Sequence, residues 1–273
     1  MELLGLFGTG IDRSYSPAIH AAGLRETGRK GQYMLWPVAE ADLHVAMRGA
    51  YVLGARGANV TTPYKEAAAL QCLRLDPWAR RIGAVNVLVR GDGGWIGHNT
   101  DADGFWQPIA ALGRPVRQAL VLGTGGAALA VCAALEREGV RLHVAGRNRE
   151  KLGRFAIEYK AKTYDWQEWS DLRGMDLIVN ATTIGRKPGE SPLEEPEIPE
   201  GIVVYDLLYR PHPSELLRRA ARRGCRTLGG GGMLLAQALL AWRLWYDEDP
   251  PHRVMTAALE AAMQADAARE KGE

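Results

Sequence analysis

Cysteine is scarce in this chain: Cys72, Cys132 and Cys225 are three in 273 residues. An odd number at wide spacing makes neither a disulfide framework nor a C-x-x-C metal site, and it suits a reducing compartment. The six histidines show no metal-ligand spacing, so no metal is expected. An excess of one charge is also missing, since 34 Lys and Arg against 32 Asp and Glu leave a net +2. That balance argues against a nucleic-acid partner, and Arg218-Arg219 with Arg222-Arg223 read as a solvated helix face. No apolar run reaches ~18 residues, so no membrane-spanning helix is expected. No basic stretch precedes Leu3-Leu4-Gly5-Leu6-Phe7, so the expectation is no signal peptide and a cytoplasmic location. Internal repeats and low-complexity tracts are absent as well.

What remains is an ordinary globular composition, 47% hydrophobic and 24% charged, long enough for one large domain or two of usual size. Strand-like and helix-like segments alternate, which reads as α/β. Strands are expected at Leu3 to Phe7, Gln32 to Pro37, Ala58 to Thr61, and Ala84 to Arg90 with Gly94 to Gly97 across a Gly91-Asp92-Gly93 turn. Helices are expected at Pro17 to Thr27, Glu40 to Gly49, Pro63 to Leu75 and Asp101 to Leu112. The pattern restarts at Ala119 to Leu122. Further strands follow at Arg141 to Ala145, Asp176 to Asn180 and Ile202 to Asp206, with helices to about Glu138, from Arg149, and from Met233 to Tyr246. Arg114-Pro115 and Gly229 to Gly232 read as domain boundaries, and Gly189 to Pro199 as an exposed loop.

The segment Asn59-Val60-Thr61-Thr62-Pro63-Tyr64-Lys65 carries the first chemical signal. Thr62 suits an N-cap and Pro63 the first helical position, which would put Lys65 in the first turn. A lysine there opposes the helix dipole, so its presence points to a use. Asn99-Thr100-Asp101 precedes a second helix start, with Asp103 placed to complete a capping box with Thr100. Lys65 and Asp101 are thus the candidate proton-handling groups. Ser14-Tyr15-Ser16-Pro17 puts two hydroxyls at another helix start, with Ser16 as the natural N-cap, and suits a carboxylate or other anion. Asn86 and Gln237 are amides able both to donate and to accept. His20, Met233, Leu234, Leu235, Trp242 and Trp245 read as structural or core.

Gly123, Gly125 and Ala128 form G-x-G-x-x-A between a strand and a helix, the arrangement that brings backbone N–H groups to a pyrophosphate. At the end of the next strand an acid would bind a ribose 2′-hydroxyl. This chain has Gly146-Arg147-Asn148-Arg149 instead, and an arginine fork suits a 2′-phosphate, so NADP is expected over NAD.

These segments resemble one family, the shikimate dehydrogenases together with the quinate/shikimate dehydrogenases. The matching stretches are S-x-S-P-x-x-H at Ser14 to His20, N-V-T-x-P-x-K at Asn59 to Lys65, G-A-V-N at Gly83 to Asn86 and N-T-D at Asn99 to Asp101. They continue with G-x-G-G-A at Gly123 to Ala127, N-A-T at Asn180 to Thr182, Y-D-L-x-Y at Tyr205 to Tyr209 and G-M-L-x-x-Q at Gly232 to Gln237. The resemblance implies two α/β domains with a cleft between them: a substrate domain over 1–101 completed by 234–273, and a Rossmann-like NADP domain over 102–233. It implies NADP-dependent interconversion of shikimate and 3-dehydroshikimate, in aromatic amino acid biosynthesis, by a Lys65/Asp101 catalytic pair. Ser14 and Ser16 would hold the substrate carboxylate, Thr61, Asn86, Asp101 and Gln237 its hydroxyls, and Tyr209 would lie nearby. The coenzyme would meet Gly123, Gly125, Gly126, Ala127, Arg147, Lys151, Asn180, Thr182, Leu207, Gly230 and Met233. Gly8 to Arg13, Ala21, Val87 and Gly146 depart from the family pattern, and Asp12, Arg13 and Tyr15 border the proposed carboxylate site. Quinate or an aminoshikimate-like analogue therefore stays open as substrate, and monomer and homodimer are both compatible. A non-catalytic dinucleotide sensor would have no need of Lys65 and Asp101.

Overall fold

The computed structural model describes residues 1–169 and 171–272. In chain order it runs β1 (Glu2–Gly8), α1 (Ser16–Glu26), β2 (Gly31–Pro37), α2 (Leu43–Val52), β3 (Gly57–Val60), α3 (Lys65–Ala69), β4 (Arg74–Leu75), α4 (Pro77–Ile82), β5 (Val87–Gly91), β6 (Gly94–His98) and α5 (Asp101–Ala110). There follow β7 (Gln118–Leu122), α6 (Gly126–Arg137), β8 (Arg141–Gly146), α7 (Arg149–Glu158), β9 (Lys162–Asp165), β10 (Leu177–Asn180), β11 (Val203–Asp206), α8 (Glu215–Arg222), β12 (Arg226–Gly229), α9 (Gly230–Tyr246) and α10 (His252–Gly272). Two units divide the chain, Met1–Asp101 with Leu235–Glu273, and Ala102–Leu234.

The first unit is built on a six-stranded mixed sheet ordered β2-β1-β3-β5-β6-β4. β1, β2 and β3 run parallel, whereas β5 is antiparallel to β3 and β6 to β5. The C-terminal ends of β1, β3 and β6 and the N-terminal end of β5 therefore all fall on one edge of the sheet, and the residues that follow β1, β3 and β6 and precede β5 gather there. Phe7, Met47, Val60, Val85, Leu88 and Trp95 fill the core on one side. Gly57 is required by close approach: a Cβ there would run into Nε1 of Trp245, which donates to the Leu88 carbonyl at 3.0 Å.

The second unit holds a fully parallel sheet ordered β12-β11-β10-β7-β8-β9. The chain winds outward from β7 to β9, returns, and winds the other way from β10 to β12, which is the doubly wound Rossmann order with its switch point between β7 and β10. Strands covered on both faces read as continuous apolar runs, and Ala119 to Leu122 and Leu177 to Val179 are wholly buried. In α6, Ala128 to Leu135 are buried without interruption.

Several expected elements differ. The stretch 63–75 is not one helix. Thr62–Pro63 is a cis peptide in a turn closed by Tyr64 N–H on the Thr61 carbonyl at 3.0 Å, and Tyr64, not Thr62, is the N-cap of α3. The helix ends at Ala69, and beyond it the Leu73 N–H pairs with the Trp95 carbonyl at 2.8 Å. Tyr15, not Ser16, caps α1. Asp103 makes no capping box with Thr100, since its carboxylate pairs with Arg137 at 2.6 Å. Gly230 to Gly232 belong to α9 rather than to a linker, and Arg114-Pro115 lies inside the second unit. Residues 189–199 are not a free loop, because Leu193 and Ile198 are buried and Arg219 donates to the Leu193 carbonyl at 2.8 Å. β4, β9 and β12 are short and partly polar, and gave no periodic signal.

Candidate active site and coenzyme site

In the first unit the gathered edge carries a buried polar network. Lys65 opens α3 and Asp101 opens α5. Their side chains are 11% and 5% exposed, and Nζ lies 2.5 Å from Oδ2. The second carboxylate oxygen, Oδ1, accepts from Asn86 Nδ2 at 2.9 Å. The orientation of that amide is decided by its other side: Asn86 Oδ1 accepts from the Thr100 backbone N–H at 2.8 Å, a group that can only donate. Nδ2 also reaches Thr100 Oγ1 at 3.0 Å and Gln237 Oε1 at 3.4 Å. Thr100 Oγ1 donates to the Gln237 carbonyl at 3.2 Å. Asp101 is thus held at both oxygens, and its backbone N–H is bound by Asn99 Oδ1 at 3.0 Å. A carboxylate and an ammonium locked at this separation can orient one N–H of the lysine, leaving others for a reacting oxygen.

Of the other residues expected here, Thr61, Ser14 and Ser16 sit on the same sheet edge, whereas Tyr209 belongs to the second unit. Thr61 follows β3, half-buried, with its N–H on the Phe7 carbonyl at 2.9 Å. Ser14 lies in the loop between β1 and α1 and Ser16 opens α1, their hydroxyls 3.2 Å apart, and Ser14 Oγ also accepts the Ser16 N–H at 3.2 Å. Ser16 is buried and Ser14 half-buried. Asp12 and Arg13 are exposed, whereas Tyr15 is buried. His20 is fully buried against Tyr33, ring centroids 4.4 Å apart, and desolvation lowers its pKa to about 3, so it is neutral at pH 7 and takes no proton there.

The second unit presents a separate arrangement at the β7/β10 switch point. Gly123 has φ +116°, and a Cβ there would meet the Ala181 carbonyl oxygen at 2.9 Å, so only glycine fits. Gly125 differs: a Cβ on it meets nothing within 4 Å. No packing within the protein calls for glycine at 125, and its exposed backbone, beside Gly126 and Ala127 at the start of α6, is open to a phosphate. Ala128 is buried where α6 meets the sheet. Arg147, just past β8, is exposed and makes no hydrogen bond or ion pair among the described residues. Arg149 is instead held by Asp165. Lys151 is exposed, with its N–H bound by the N-cap Asn148 at 2.9 Å. An open glycine turn, a helix N-terminus and an unengaged arginine fit a dinucleotide with a phosphorylated ribose.

Asn180 and Thr182 shape the loop after β10. The Asn180 side chain is wholly buried, accepting from Thr182 N–H and Oγ1 at 3.1 and 2.7 Å and donating to Asp206 Oδ1 at 3.0 Å. Its amide therefore holds the loop, and Thr182, half-buried, is tied into it as well, its Oγ1 accepting from the Ile184 N–H at 3.0 Å. Asp206 accepts further from Ser214 Oγ at 2.6 Å and Leu208 N–H at 3.0 Å. Burial raises its pKa, and these bonds oppose the rise. Leu207 is half-buried with its N–H on the Asn180 carbonyl at 3.0 Å. Gly230 is packed so closely that a Cβ would collide with the Leu207 carbonyl oxygen. Met233 is 9% exposed on α9, and Tyr209 half-buried in the loop after β11.

The model of the shikimate dehydrogenase substrate-binding domain matches residues 6–88. The NADP-dependent shikimate dehydrogenase of Thermosynechococcus vestitus is 38% identical over 275 aligned residues, covering 96% of each chain. The chain belongs to the shikimate dehydrogenase family. Among solved structures of the family, shikimate 5-dehydrogenase of Thermus thermophilus in complex with NADP(H) and shikimate superposes with a TM-score of 0.88 at 35% identity, over 96% of this chain and 100% of that one. Quinate dehydrogenase of Corynebacterium glutamicum in complex with NAD gives 0.87 at 31% identity, over 95% and 99%.

Asn99, Thr100 and Asp206 escaped the motif reading as positioning groups. Asn99 and Thr100 were visible only as caps, and nothing in Y-D-L-x-Y says that its acid is buried between two loops.

Proposed function

We propose that this protein is an NADP-dependent shikimate dehydrogenase in which Lys65 and Asp101 handle the proton. The observation that carries the reading is the buried Lys65–Asp101 pair, locked at 2.5 Å by Asn86 on the far oxygen. NADPH, when bound, supplies a hydride to the ketone carbon of 3-dehydroshikimate. Lys65 Nζ then donates a proton to the oxygen that becomes the hydroxyl, and takes it back in the oxidative direction. Asp101 holds the ammonium in place and accepts from a ring hydroxyl, with Thr61, Asn86 and Gln237 as further hydroxyl partners. Ser14 and Ser16 donate to the carboxylate. Gly123 to Ala127 carry the pyrophosphate, and Arg147 with Lys151 the 2′-phosphate. The three free cysteines favour a reducing cytoplasm.

Quinate oxidation is the second reading. It is favoured by the likeness to quinate dehydrogenase and by the exposed Asp12 and Arg13 beside Ser14. The test is coenzyme reduction followed by absorbance, with shikimate and quinate in parallel and each repeated with NAD⁺. Turnover confined to shikimate with NADP⁺ is expected. Turnover with quinate alone would replace the substrate, and equal rates with NAD⁺ would remove the role given to Arg147.

A further inference from the structure

Tyr15 stands between the two serines assigned to the carboxylate, and its side chain is spent on a distant partner. Its backbone is the N-cap of α1, with Ile19 N–H on its carbonyl at 3.2 Å, and the preceding Ser14 N–H closes on the Ile11 carbonyl at 2.8 Å. The N-cap makes no side-chain cap hydrogen bond of its own. Instead the ring is buried, 4% exposed, and the phenol donates to Asp266 Oδ2 at 2.6 Å. Asp266 lies on α10, 251 residues further along the chain, and is 8% exposed. The length is that of a hydroxyl bonded to a carboxylate.

An aromatic side chain has two rotatable torsions. Tied at the backbone by the α1 hydrogen bond and at the hydroxyl by Asp266, Tyr15 leaves its own turn little freedom. Ser14 and Ser16 flank it and are joined to each other through Ser14 Oγ, so the direction of both hydroxyls follows from where Tyr15 is held. Local capping fixes such a turn in most helices. Here the anchor is long-range and comes from the last helix.

We infer that Tyr15 and Asp266 form a positioning pair for substrate recognition, by which α10 holds the Ser14-Tyr15-Ser16 turn in the geometry that takes the substrate carboxylate. This rests on the reading of Ser14 and Ser16 as carboxylate donors. Neither residue of the pair touches substrate.

The test compares Tyr15→Phe, Asp266→Ala and Asp266→Asn with the wild type and with Ser14→Ala/Ser16→Ala, in full-length protein, by steady-state oxidation of shikimate with NADP⁺. Tyr15→Phe and Asp266→Ala should raise KM for shikimate about tenfold, the loss of one hydrogen bond to a charged group, with kcat and KM for NADP⁺ within about twofold. Asp266→Asn keeps an amide oxygen that accepts from the phenol, and should keep KM near the wild-type value. A lower Tm with unchanged KM in Tyr15→Phe would show a bond that only holds helices together, and would overturn the inference. Equal loss in Asp266→Asn and Asp266→Ala would overturn the pairing. An unchanged KM in the double serine variant would overturn the carboxylate reading beneath it, and wild-type inactivity on shikimate the proposed function itself.

Discussion

Removing the Asp101 carboxylate tests both halves of the argument, because stability and catalysis should respond differently. The Lys65 and Asp101 side chains are 11% and 5% exposed, so Asp101→Ala leaves a largely desolvated ammonium without its carboxylate partner. Breaking a buried pair from one side costs about 3–5 kcal/mol, and the residual exposure of Lys65 places this one near the lower end, about 3. Asn86 Nδ2 loses one acceptor but keeps Thr100 Oγ1 at 3.0 Å, which adds at most about 1 kcal/mol. Replacing both partners by apolar groups, Lys65→Met with Asp101→Leu, removes the uncompensated charge, and its cost should fall to about 1 kcal/mol. The double variant is therefore expected to be more stable than Asp101→Ala. Activity should not follow. Each single change should lower kcat by about 10²–10⁴, and the double by no more than the worse single, since the two act as one unit. Urea unfolding and NADP⁺ reduction on the wild type, Asp101→Ala, Lys65→Met and the double variant read both quantities. Additive losses of stability, or a kcat for Asp101→Ala within a few-fold of wild type, would refute the reasoning.

Three further outcomes follow from single sites. Arg147→Ala should raise KM for NADP⁺ about tenfold or more while leaving KM for NAD⁺ unchanged, as checked by parallel coenzyme titrations; equal shifts would remove the 2′-phosphate contact. Gly125→Ala should leave Tm unchanged and weaken NADP⁺, because its Cβ enters open space, whereas Gly123→Ala should lower Tm through φ +116° and the contact with the Ala181 carbonyl. Thermal melts with coenzyme titrations separate the two. His20 has a folded pKa of about 3 against 6.5 for the free side chain, so the unfolded state takes up the proton first as pH falls. Its contribution is complete above pH 6.5 and falls by about 1.4 kcal/mol per unit towards pH 3, about 5 kcal/mol in all. His20→Leu should flatten that part of the stability–pH curve, measured by urea unfolding at pH 7 and 4.5, and an unaltered slope would exclude the assignment.

Much of the architecture was legible along the chain. Buried parallel strands are continuous apolar runs, and β7 and β10 announced themselves as such. The glycine turn before α6 was recognisable because its residues are neighbours. The elements that went unread, β4, β9 and β12, are two to four residues long and partly polar, and exist because a neighbouring strand supplies their partners. The stretch 189–199 misled because Pro and Glu look solvated in isolation, whereas Leu193 and Ile198 are drawn into the core beneath α8.

The amino-acid sequence alone determined the chemistry on offer: a lysine and an aspartate at helix starts, paired serines, two amides, an open glycine turn and an arginine in place of an acid. These are properties of residue type and short spacing, which local backbone geometry preserves. Tertiary structure decided what they amount to. The antiparallel turn of β5 and β6 carries Asn86 and Asp101 to the edge where β3 delivers Lys65, and α9 brings Gln237 to the same network from 151 residues beyond Asn86. Tyr15 and Asp266 meet across almost the whole chain. Such contacts leave no periodicity to read, because burial and hydrogen-bond satisfaction act on distance in space, and distance in space is set only when the sheet has formed.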